Sequence, residues 1–305
     1  MSVRVVGAAR NEPHPVCQVC FGPMVYLLEK PGSYIPESFK FFQCSKCNFV
    51  SVVNPITDYQ KIYNDAYYQG RGADPLVDYA FELNHPEQTV RIFEWQGILD
   101  AVRHLYREGL EGARWLDYGS GAGGMVRFLR DRGIEAYGFD EGGYVDLARA
   151  RGIQHLTLSE LAERKGSFDV ISLIEVLEHI PDPVSLLETV RQLLRPGGLL
   201  FLTTGNADPH RRAFASWGYV VPEVHVSYFA PESLGRALDR AGLEARPLGK
   251  NPGLTNIIKY KILKNLGFKS VSAFLGILPW SVISLATDLR YQLSAMPIAR
   301  RPLRE

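Results

Sequence analysis

Residues 115–123, Trp-Leu-Asp-Tyr-Gly-Ser-Gly-Ala-Gly, decide the fold of this chain. The apolar start predicts a buried strand, and the glycine-rich end predicts a tight turn into a helix over residues 125–132. Gly119, Gly121 and Gly123 lack a Cβ atom, so the backbone there can pass close to a bound ligand. The amide groups at the start of the helix then face a polar or anionic part of that ligand.

Two carboxylates distinguish this stretch from the similar strand, glycine turn and helix of a dinucleotide-binding fold. Asp117 precedes the first glycine by two residues, and Asp140 ends the next predicted strand, residues 136–139. A ligand that carries both an ammonium group and a ribose would engage both carboxylates.

Four motifs in order resemble those of class I S-adenosylmethionine (SAM) methyltransferases. They are DYGSGAG at 117–123, YGFD at 137–140, FDVISL at 168–173 and LRPGGLLFL at 194–202. The resemblance covers roughly residues 110–250 and implies that SAM is the methyl donor. The cofactor-binding residues it implies are Asp117, Gly119, Ser120, Gly121, Gly123, Asp140, Glu141, Thr157, Leu158 and Glu175.

Strands and helices alternate along this region, which predicts an α/β fold with a doubly wound, mainly parallel sheet. The resemblance implies seven strands, the last of them antiparallel at residues 294–299. Helices are expected at 86–108, 143–151, 183–194 and 231–241, and further strands at 153–156, 169–173, 198–204 and 243–248. The expected domains are a zinc ribbon (1–55), an aromatic connector with a packing helix (56–110), the methyltransferase core (111–250) and a helical cap with the last edge strand (251–305).

Composition is that of a globular protein, with 46% hydrophobic and 22% charged residues in 305. The net charge of +1 gives no basic field over the whole chain, which argues against a nucleic-acid partner. The first 15 residues show no signal-peptide pattern, and no run reaches the roughly 18 apolar residues of a membrane span. A cytoplasmic location is therefore expected.

The four cysteines form two matched C-x-x-C pairs, Cys17 with Cys20 and Cys44 with Cys47. Two such turns complete a tetrahedral sulfur site, so a structural zinc ion is predicted rather than two disulfides. A closed four-sulfur shell leaves no position for catalytic water. The segment resembles the zinc ribbon of bacterial methyltransferases that act on sugars, polysaccharides and natural products.

An aromatic connector, residues 59–68, follows the ribbon. It either packs on the catalytic domain or lines a substrate groove. Few and mixed charges between residues 15 and 50 disfavour a ribbon that binds nucleic acid.

Glu175, Glu178 and His179 follow the fourth strand at i, i+3 and i+4 and are expected on one helical face. Together with His225 they resemble the metal site of small-RNA 2′-O-methyltransferases and ubiquinone-pathway O-methyltransferases. The resemblance implies a divalent cation such as Mg²⁺ at these four residues. The alternative is that the sequence Glu-Val-Leu-Glu-His shapes the cofactor pocket without metal.

His225 is the predicted general base, because a neutral imidazole near pH 7 suits removal of a hydroxyl proton. His179 and Tyr228 are predicted to complete the catalytic set. In sugar methyltransferases with a similar stretch, the histidine and tyrosine line the acceptor site.

The C-terminal segment is basic and apolar, with nine Lys and Arg residues against two acids from Lys250 to Glu305. Residues 252–290 are expected to be a helical insertion that caps the active site. A dimer surface and a peripheral membrane contact are the second and third interpretations. The basic face would suit a nucleotide-linked or lipid-linked sugar, or solvent alone.

The sequence thus predicts a SAM-dependent methyltransferase that acts on a hydroxyl group or carbon of a small-molecule acceptor, such as a sugar or natural-product intermediate. The alternatives are a metal-assisted RNA 2′-O-methyltransferase and a non-catalytic SAM-binding module with the ribbon as its interaction surface. Neither the acceptor nor the oligomeric state is encoded in a readable pattern.

Overall fold

The chain contains two β-sheets with helices that cover them. The structure is a computed structural model, and it describes residues 15–72, 78–246, 250–271 and 298–302. The strands described are β1 (Met24–Pro31), β2 (Ser38–Cys44), β3 (Val50–Val52), β4 (Arg114–Tyr118), β5 (Glu135–Phe139), β6 (Phe168–Ile174), β7 (Leu194–Thr203), β8 (Ser227–Tyr228), β9 (Glu244–Arg246) and β10 (Ile298–Arg300). The α-helices described are α1 (Asp65–Tyr68), α2 (Tyr79–Asn84), α3 (Arg91–Leu105), α4 (Gly124–Arg130), α5 (Val145–Ala150), α6 (Leu158–Ala162), α7 (Pro183–Leu193), α8 (Pro231–Arg240) and α9 (Leu254–Asn265). Short 3-10 turns span Tyr59–Lys61, Leu177–His179 and Asp208–Ser216.

The larger sheet has the order β5-β4-β6-β7-β10-β9. Its first four strands are parallel, and β10 runs antiparallel to both of its neighbours. Alternate residues of the central strands enter two separate apolar clusters, as Trp115 and Leu116 illustrate. Helices α7 and α8 contribute to one cluster, and α3 and α4 to the other. The predicted doubly wound α/β fold is therefore confirmed.

The predicted third strand, residues 153–156, is reduced to one parallel bridge between Gly138 and His155. The segment ends early because Thr157 already caps α6, accepting from the Glu160 amide while the Glu160 carboxylate accepts from the Thr157 amide. The described part of the sheet thus contains six strands, with His155 marking the edge where a seventh was expected.

The helix predicted at 86–108 begins only at Arg91. The backbone just before α3 is hydrogen-bonded to residues that follow α9. The Val90 amide donates to the Lys269 carbonyl, and the Val271 amide donates to the Gln88 carbonyl. These hydrogen bonds between distant parts of the chain hold Pro86 outside the helix, in a turn.

Other predicted bounds shift at the element ends. Helix α4 stops at Arg130 rather than 132, α5 spans two residues fewer than predicted at its start and one fewer at its end, and β7 begins at Leu194 rather than at 198. Residues 247–248 of the predicted strand 243–248 and residues 294–297 of the predicted strand 294–299 lie outside the described residues, as does 272–290 of the expected cap. The cap that is described is α9.

The smaller sheet has the order β1-β2-β3-β8 and is antiparallel throughout. Its first three strands come from the predicted ribbon, but β8 comes from the catalytic part of the chain. Phe49 and Phe229 pack with ring centroids 5.0 Å apart, which joins the ribbon to the core of the larger sheet.

No helix among the described residues combines the length and the apolar character that crossing a bilayer requires.

Helices α3 and α9 pack at very close range through two glycines. A Cβ atom at Gly97 would lie 2.6 Å from the Gly253 carbonyl oxygen, and one at Gly253 would lie 1.9 Å from the Gly97 oxygen. Ile257 is buried against the same contact. Since backbone atoms are the obstacle, neither position accommodates a side chain without moving a helix.

We expect Gly97→Ala to lower the free energy of unfolding by about 1–3 kcal/mol, because the added methyl group overpacks this contact. The matched control is Gly235→Ala in α8, where a Cβ atom meets nothing within 4 Å. That change should be neutral, or stabilising by up to about 1 kcal/mol, through helix propensity. Equal effects of the two substitutions in denaturant unfolding would contradict the packing described.

Candidate active site

The turn that follows β4 is a left-handed glycine loop. Gly119, Gly121 and Gly123 have φ angles of 81°, 55° and 77°. The amides of Gly119 and Ser120 donate to the carbonyl of Phe139, which ties the loop to β5. A Cβ atom at Gly119 would lie 2.4 Å from a Val176 methyl group. Both the backbone conformation and the close packing therefore require glycine here.

Asp117 lies at the carboxyl end of β4 and is buried. Its Oδ1 accepts a 2.6 Å hydrogen bond from Ser172 Oγ, which in turn accepts from Trp115 Nε1 at 3.0 Å. Burial raises the pKa of Asp117 to about 6 despite the Ser172 hydrogen bond. The indole and the serine thus fix the Asp117 carboxylate at the end of β4.

A pocket opens beyond β4 and β6, with the glycine turn on one side and residues of α2 and α3 on the other. Arg91 is the basic residue in its wall, and its guanidinium contacts Glu94 at 3.1 Å and Glu82 at 3.5 Å. Burial raises the pKa of Glu82 to about 7, although Arg91 opposes that shift. Arg91 was not among the predicted site residues, and its place in the first turn of α3 was the signal available.

Asp140 follows β5 and accepts from the amides of Gly121 and Gly142 at 2.8 and 2.6 Å. Asp140, one of the two carboxylates expected to engage the ligand, therefore lies directly against the glycine loop. Glu141 is exposed beside it.

Thr157 and Leu158 lie at the start of α6, and Leu158 is 65% exposed. Their neighbour His155 contacts the loop instead, with Nε2 2.7 Å from Ser120 Oγ. Burial lowers the pKa of His155, which favours the neutral ring. No local sequence pattern marks this contact, because Ser120 and His155 are 35 residues apart in the chain.

The aromatic connector lies over both parts of the site. Tyr68 accepts a hydrogen bond from the Gly143 amide and stacks on Tyr144 at 4.6 Å. Tyr63 places its hydroxyl 3.0 Å from Nδ1 of His179. These contacts show that the connector packs on the catalytic domain, while its role in lining a substrate groove stays a prediction.

Glu175 and Glu178 do not share a helical face as predicted. Glu175 has a left-handed φ of 54°, and the 3-10 turn begins two residues later at Leu177. This conformation turns Glu175 toward α9, where its Oε1 lies 3.0 Å from Lys261 Nζ. Burial favours a higher pKa, but Lys261 outweighs it and lowers the pKa of Glu175 to about 2.

Glu178 is fully buried and faces a different set of partners. Its two oxygens accept from the hydroxyls of Thr204 and Tyr219. The Tyr219 hydroxyl also lies 3.2 Å from Glu175 Oε2, so one phenol bridges two carboxylates. Burial and the nearby Glu175 charge raise the pKa of Glu178 to about 8. Tyr219 was not identified from the sequence, because its hydrogen bonds to Glu175 and Glu178 join residues more than 40 positions apart.

His225 and His179 meet with ring centroids 4.9 Å apart. Nδ1 of His225 lies 2.6 Å from the Tyr219 carbonyl oxygen, and Nδ1 of His179 lies 3.0 Å from the Val224 carbonyl oxygen. A carbonyl only accepts, so each neutral ring carries its hydrogen on Nδ1 and presents Nε2 as the basic atom.

Ligand atoms of Glu178, His179 and His225 lie within 4.8 Å of one another, but Glu175 does not belong to this group. The structure therefore brings together three of the four residues predicted for a divalent cation. The fourth is paired with a lysine.

Tyr228, predicted to be catalytic, is 1% exposed. It donates its hydroxyl to the His225 carbonyl oxygen at 2.7 Å. In this position it supports the backbone of His225 rather than lining the cleft.

The four cysteines form one compact cluster. All four sulfur atoms lie within 4.8 Å of one another, with 3.7 Å between Cys17 and Cys47 and 3.4 Å between Cys20 and Cys44. A tetrahedral zinc ion with Zn–S bonds of 2.3 Å requires sulfur atoms about 3.8 Å apart. The cluster is therefore compatible with the predicted zinc ribbon.

We expect the purified chain to carry about one zinc ion, and Cys47→Ser to lose most of it because three thiolates leave the shell incomplete. Ser45→Ala is the matched control, since Ser45 lies between the ligands but is exposed. Elemental analysis checks both. Full zinc content in Cys47→Ser would contradict the assignment.

Comparison with known proteins identifies the family of the chain. A family described as "Methyltransferase domain" matches residues 92–248. The ubiquinone biosynthesis O-methyltransferase of Pseudomonas aeruginosa is 34% identical over 161 residues, covering 47% of this chain and 69% of that protein. The enzyme of the same name from Marinobacter nauticus is 33% identical over 162 residues, covering 47% and 68%. An S-adenosylmethionine-dependent methyltransferase structure from Mesorhizobium loti is 19% identical with a TM-score of 0.42, covering 66% of this chain and 98% of that one. The chain belongs to the class I SAM-dependent methyltransferase family.

Proposed function

We propose that this chain methylates a hydroxyl group of a small-molecule acceptor, with His225 as the general base. The observation that carries the proposal is the fixed His225 ring, whose Nδ1 lies 2.6 Å from the Tyr219 carbonyl oxygen. The relatives named as O-methyltransferases support oxygen as the acceptor atom. The resemblance of the ribbon to that of sugar and natural-product methyltransferases supports an acceptor of that class.

The residues around the glycine turn suit SAM. The turn provides a surface without Cβ atoms, and Asp117 and Asp140 lie on either side of it. We assign Asp117 to the ammonium group, Asp140 to the ribose hydroxyls and Arg91 to the carboxylate of the methionine moiety. Bound SAM supplies a methyl group on a sulfonium, which is already a good leaving group.

His225 then takes the acceptor proton on Nε2, while the Nδ1 hydrogen bond to the Tyr219 carbonyl holds the ring and its tautomer. The Tyr219 ring packs on His225 with centroids 4.1 Å apart, which restricts the ring further. The remaining task of the protein is alignment of the acceptor oxygen with the methyl group. Glu175, one of the four residues predicted to hold a divalent cation, pairs with Lys261 and not with the histidines, and no step of the proposed mechanism uses a cation.

The first test concerns the cofactor and pH. Since burial raises the pKa of Asp117 to about 6, its carboxylate form is depleted below that pH. If the carboxylate pairs with the ammonium group, the dissociation constant for SAM rises by up to about tenfold per unit as the pH falls below 6.

Asp117→Asn should weaken SAM binding and remove this pH dependence, as measured by calorimetry. Asp146→Asn, an exposed acid of α5, is the control and should leave both unchanged. A pH profile in Asp117→Asn identical to that of the unmodified chain would refute the ammonium assignment.

The second test concerns the base. Labelled SAM is incubated with the chain and extracts of its source organism, and the methylated product is identified by mass analysis. We expect His225→Ala to lower the turnover by about 10²–10⁴-fold, the usual contribution of general base catalysis. His104→Ala, an exposed histidine of α3, should keep full activity. Unchanged turnover in His225→Ala would place the base elsewhere.

A further inference from the structure

The segment of residues 217–228, here called the acceptor loop, carries Tyr219 and His225. Trp217, Tyr219 and His225 are half-buried, and their rings form a row. Trp217 stacks on Tyr219 with ring centroids 4.8 Å apart, and Tyr219 packs on His225. The loop follows the 3-10 turn Asp208–Ser216 and ends in β8. Three sets of contacts join this loop to the ribbon.

The first contact is a strand pairing. Residues Val50 and Ser51 of β3 pair with Tyr228 and Ser227 of β8, and the Val52 amide donates to the Val226 carbonyl at 2.9 Å. The Val226 amide in turn donates to the Glu178 carbonyl at 2.7 Å. A continuous set of backbone hydrogen bonds therefore runs from the ribbon through the residue after His225 to the turn that carries Glu178 and His179.

The second contact is made by the tip of the β1–β2 hairpin. Oε1 of Glu223 accepts from the amides of Tyr34 at 2.7 Å and Ile35 at 3.4 Å. Glu223 is 3% exposed, and its Oε2 has no hydrogen-bond partner among the described residues. Burial of a carboxylate with one unpaired oxygen costs free energy, because the group loses its hydration. The hairpin amides are the partners that hold Glu223 in place, two residues before His225.

The third contact also joins the hairpin to the loop. Lys30 of β1 donates through Nζ to the Val220 carbonyl. Around these polar contacts, valines of the acceptor loop share one apolar cluster with Phe39 and Phe41 of β2. The ribbon thus holds the loop by a strand, a carboxylate, a lysine and an apolar core.

Two of the four cysteines lie in or beside the turn that joins β2 to β3, the strand that pairs with β8. Cys44 ends β2, and Cys47 lies three residues before β3. The Cys44 amide donates to the Phe49 carbonyl at 2.8 Å, so the cluster closes the turn that joins the two strands. Folding of β3, and with it the pairing to β8, depends on that turn.

We propose that the ribbon is a wall of the acceptor site and that Glu223 is the positioning residue that couples the zinc-bound fold of the ribbon to the placement of Tyr219 and His225. The inference rests on the proposed function of His225. It replaces the view of the ribbon as an appended interaction module. It also predicts that the cofactor half of the protein is independent of Glu223, because β4, β5 and the glycine turn make none of these contacts.

Hydrogen–deuterium exchange of the full zinc-loaded chain tests this. Loss of a hydrogen-bonded carboxylate in Glu223→Ala should speed exchange of amides in residues 219–228 by about tenfold or more. Glu223→Gln keeps an oxygen acceptor for the hairpin amides and should restore protection. Glu232→Ala removes an exposed acid that pairs with Arg236 in α8. It is the matched control and should leave the exchange of amides in residues 219–228 unchanged. Calorimetry with S-adenosylhomocysteine should give the same affinity for all four forms.

Turnover should fall in Glu223→Ala and recover in Glu223→Gln, with the KM for SAM unchanged. Removal of zinc by a chelator should produce the same local exchange in residues 219–228 while residues 114–139 stay protected. Protection of 219–228 that survives both Glu223→Ala and zinc removal would overturn the coupling. Failure of every form to bind S-adenosylhomocysteine would instead overturn the proposed function.

Discussion

The structure depends on the way in which β4 ends. The chain leaves the centre of a parallel sheet through a left-handed turn, and the amides of Gly119 and Ser120 close that turn on the Phe139 carbonyl. Because neighbouring parallel strands end at the same edge, Asp117 at the end of β4 and Asp140 after β5 are brought to the same edge as Glu175 after β6. The pocket is therefore a consequence of the strand order, and the glycines of the left-handed turn place no side chain of their own in it.

The acceptor side has a different origin. It is not an extension of the larger sheet but a loop held between that sheet and the ribbon. His225 precedes the point at which the chain crosses into the smaller sheet at Ser227, and the ribbon hairpin holds the loop from the other side through Glu223. In the coupling we propose, a small ribbon controls catalytic geometry although a zinc ion in a closed four-sulfur shell has no open position for chemistry.

The sequence was sufficient for features that depend on local pattern. The glycine motif, the later core strands and the cysteine spacing predicted the fold and the sulfur cluster, since each is encoded within a short window. It failed where distant residues decide. The expected helical face at Glu175 is wrong because a left-handed residue and Lys261, from the C-terminal helix, turn the carboxylate away. Tyr219 and β8 were missed because a single phenol and a two-residue strand carry no periodic signal.

A crystal structure of the zinc-loaded chain with S-adenosylhomocysteine tests the central claim most directly. The account predicts the ribose on Asp140, the amino group on Asp117, and the sulfur facing a cleft that His225 and Tyr219 line, with space for one acceptor group between them. A ligand whose sulfur faces away from the acceptor loop, or whose ribose lies far from Asp140, would contradict it.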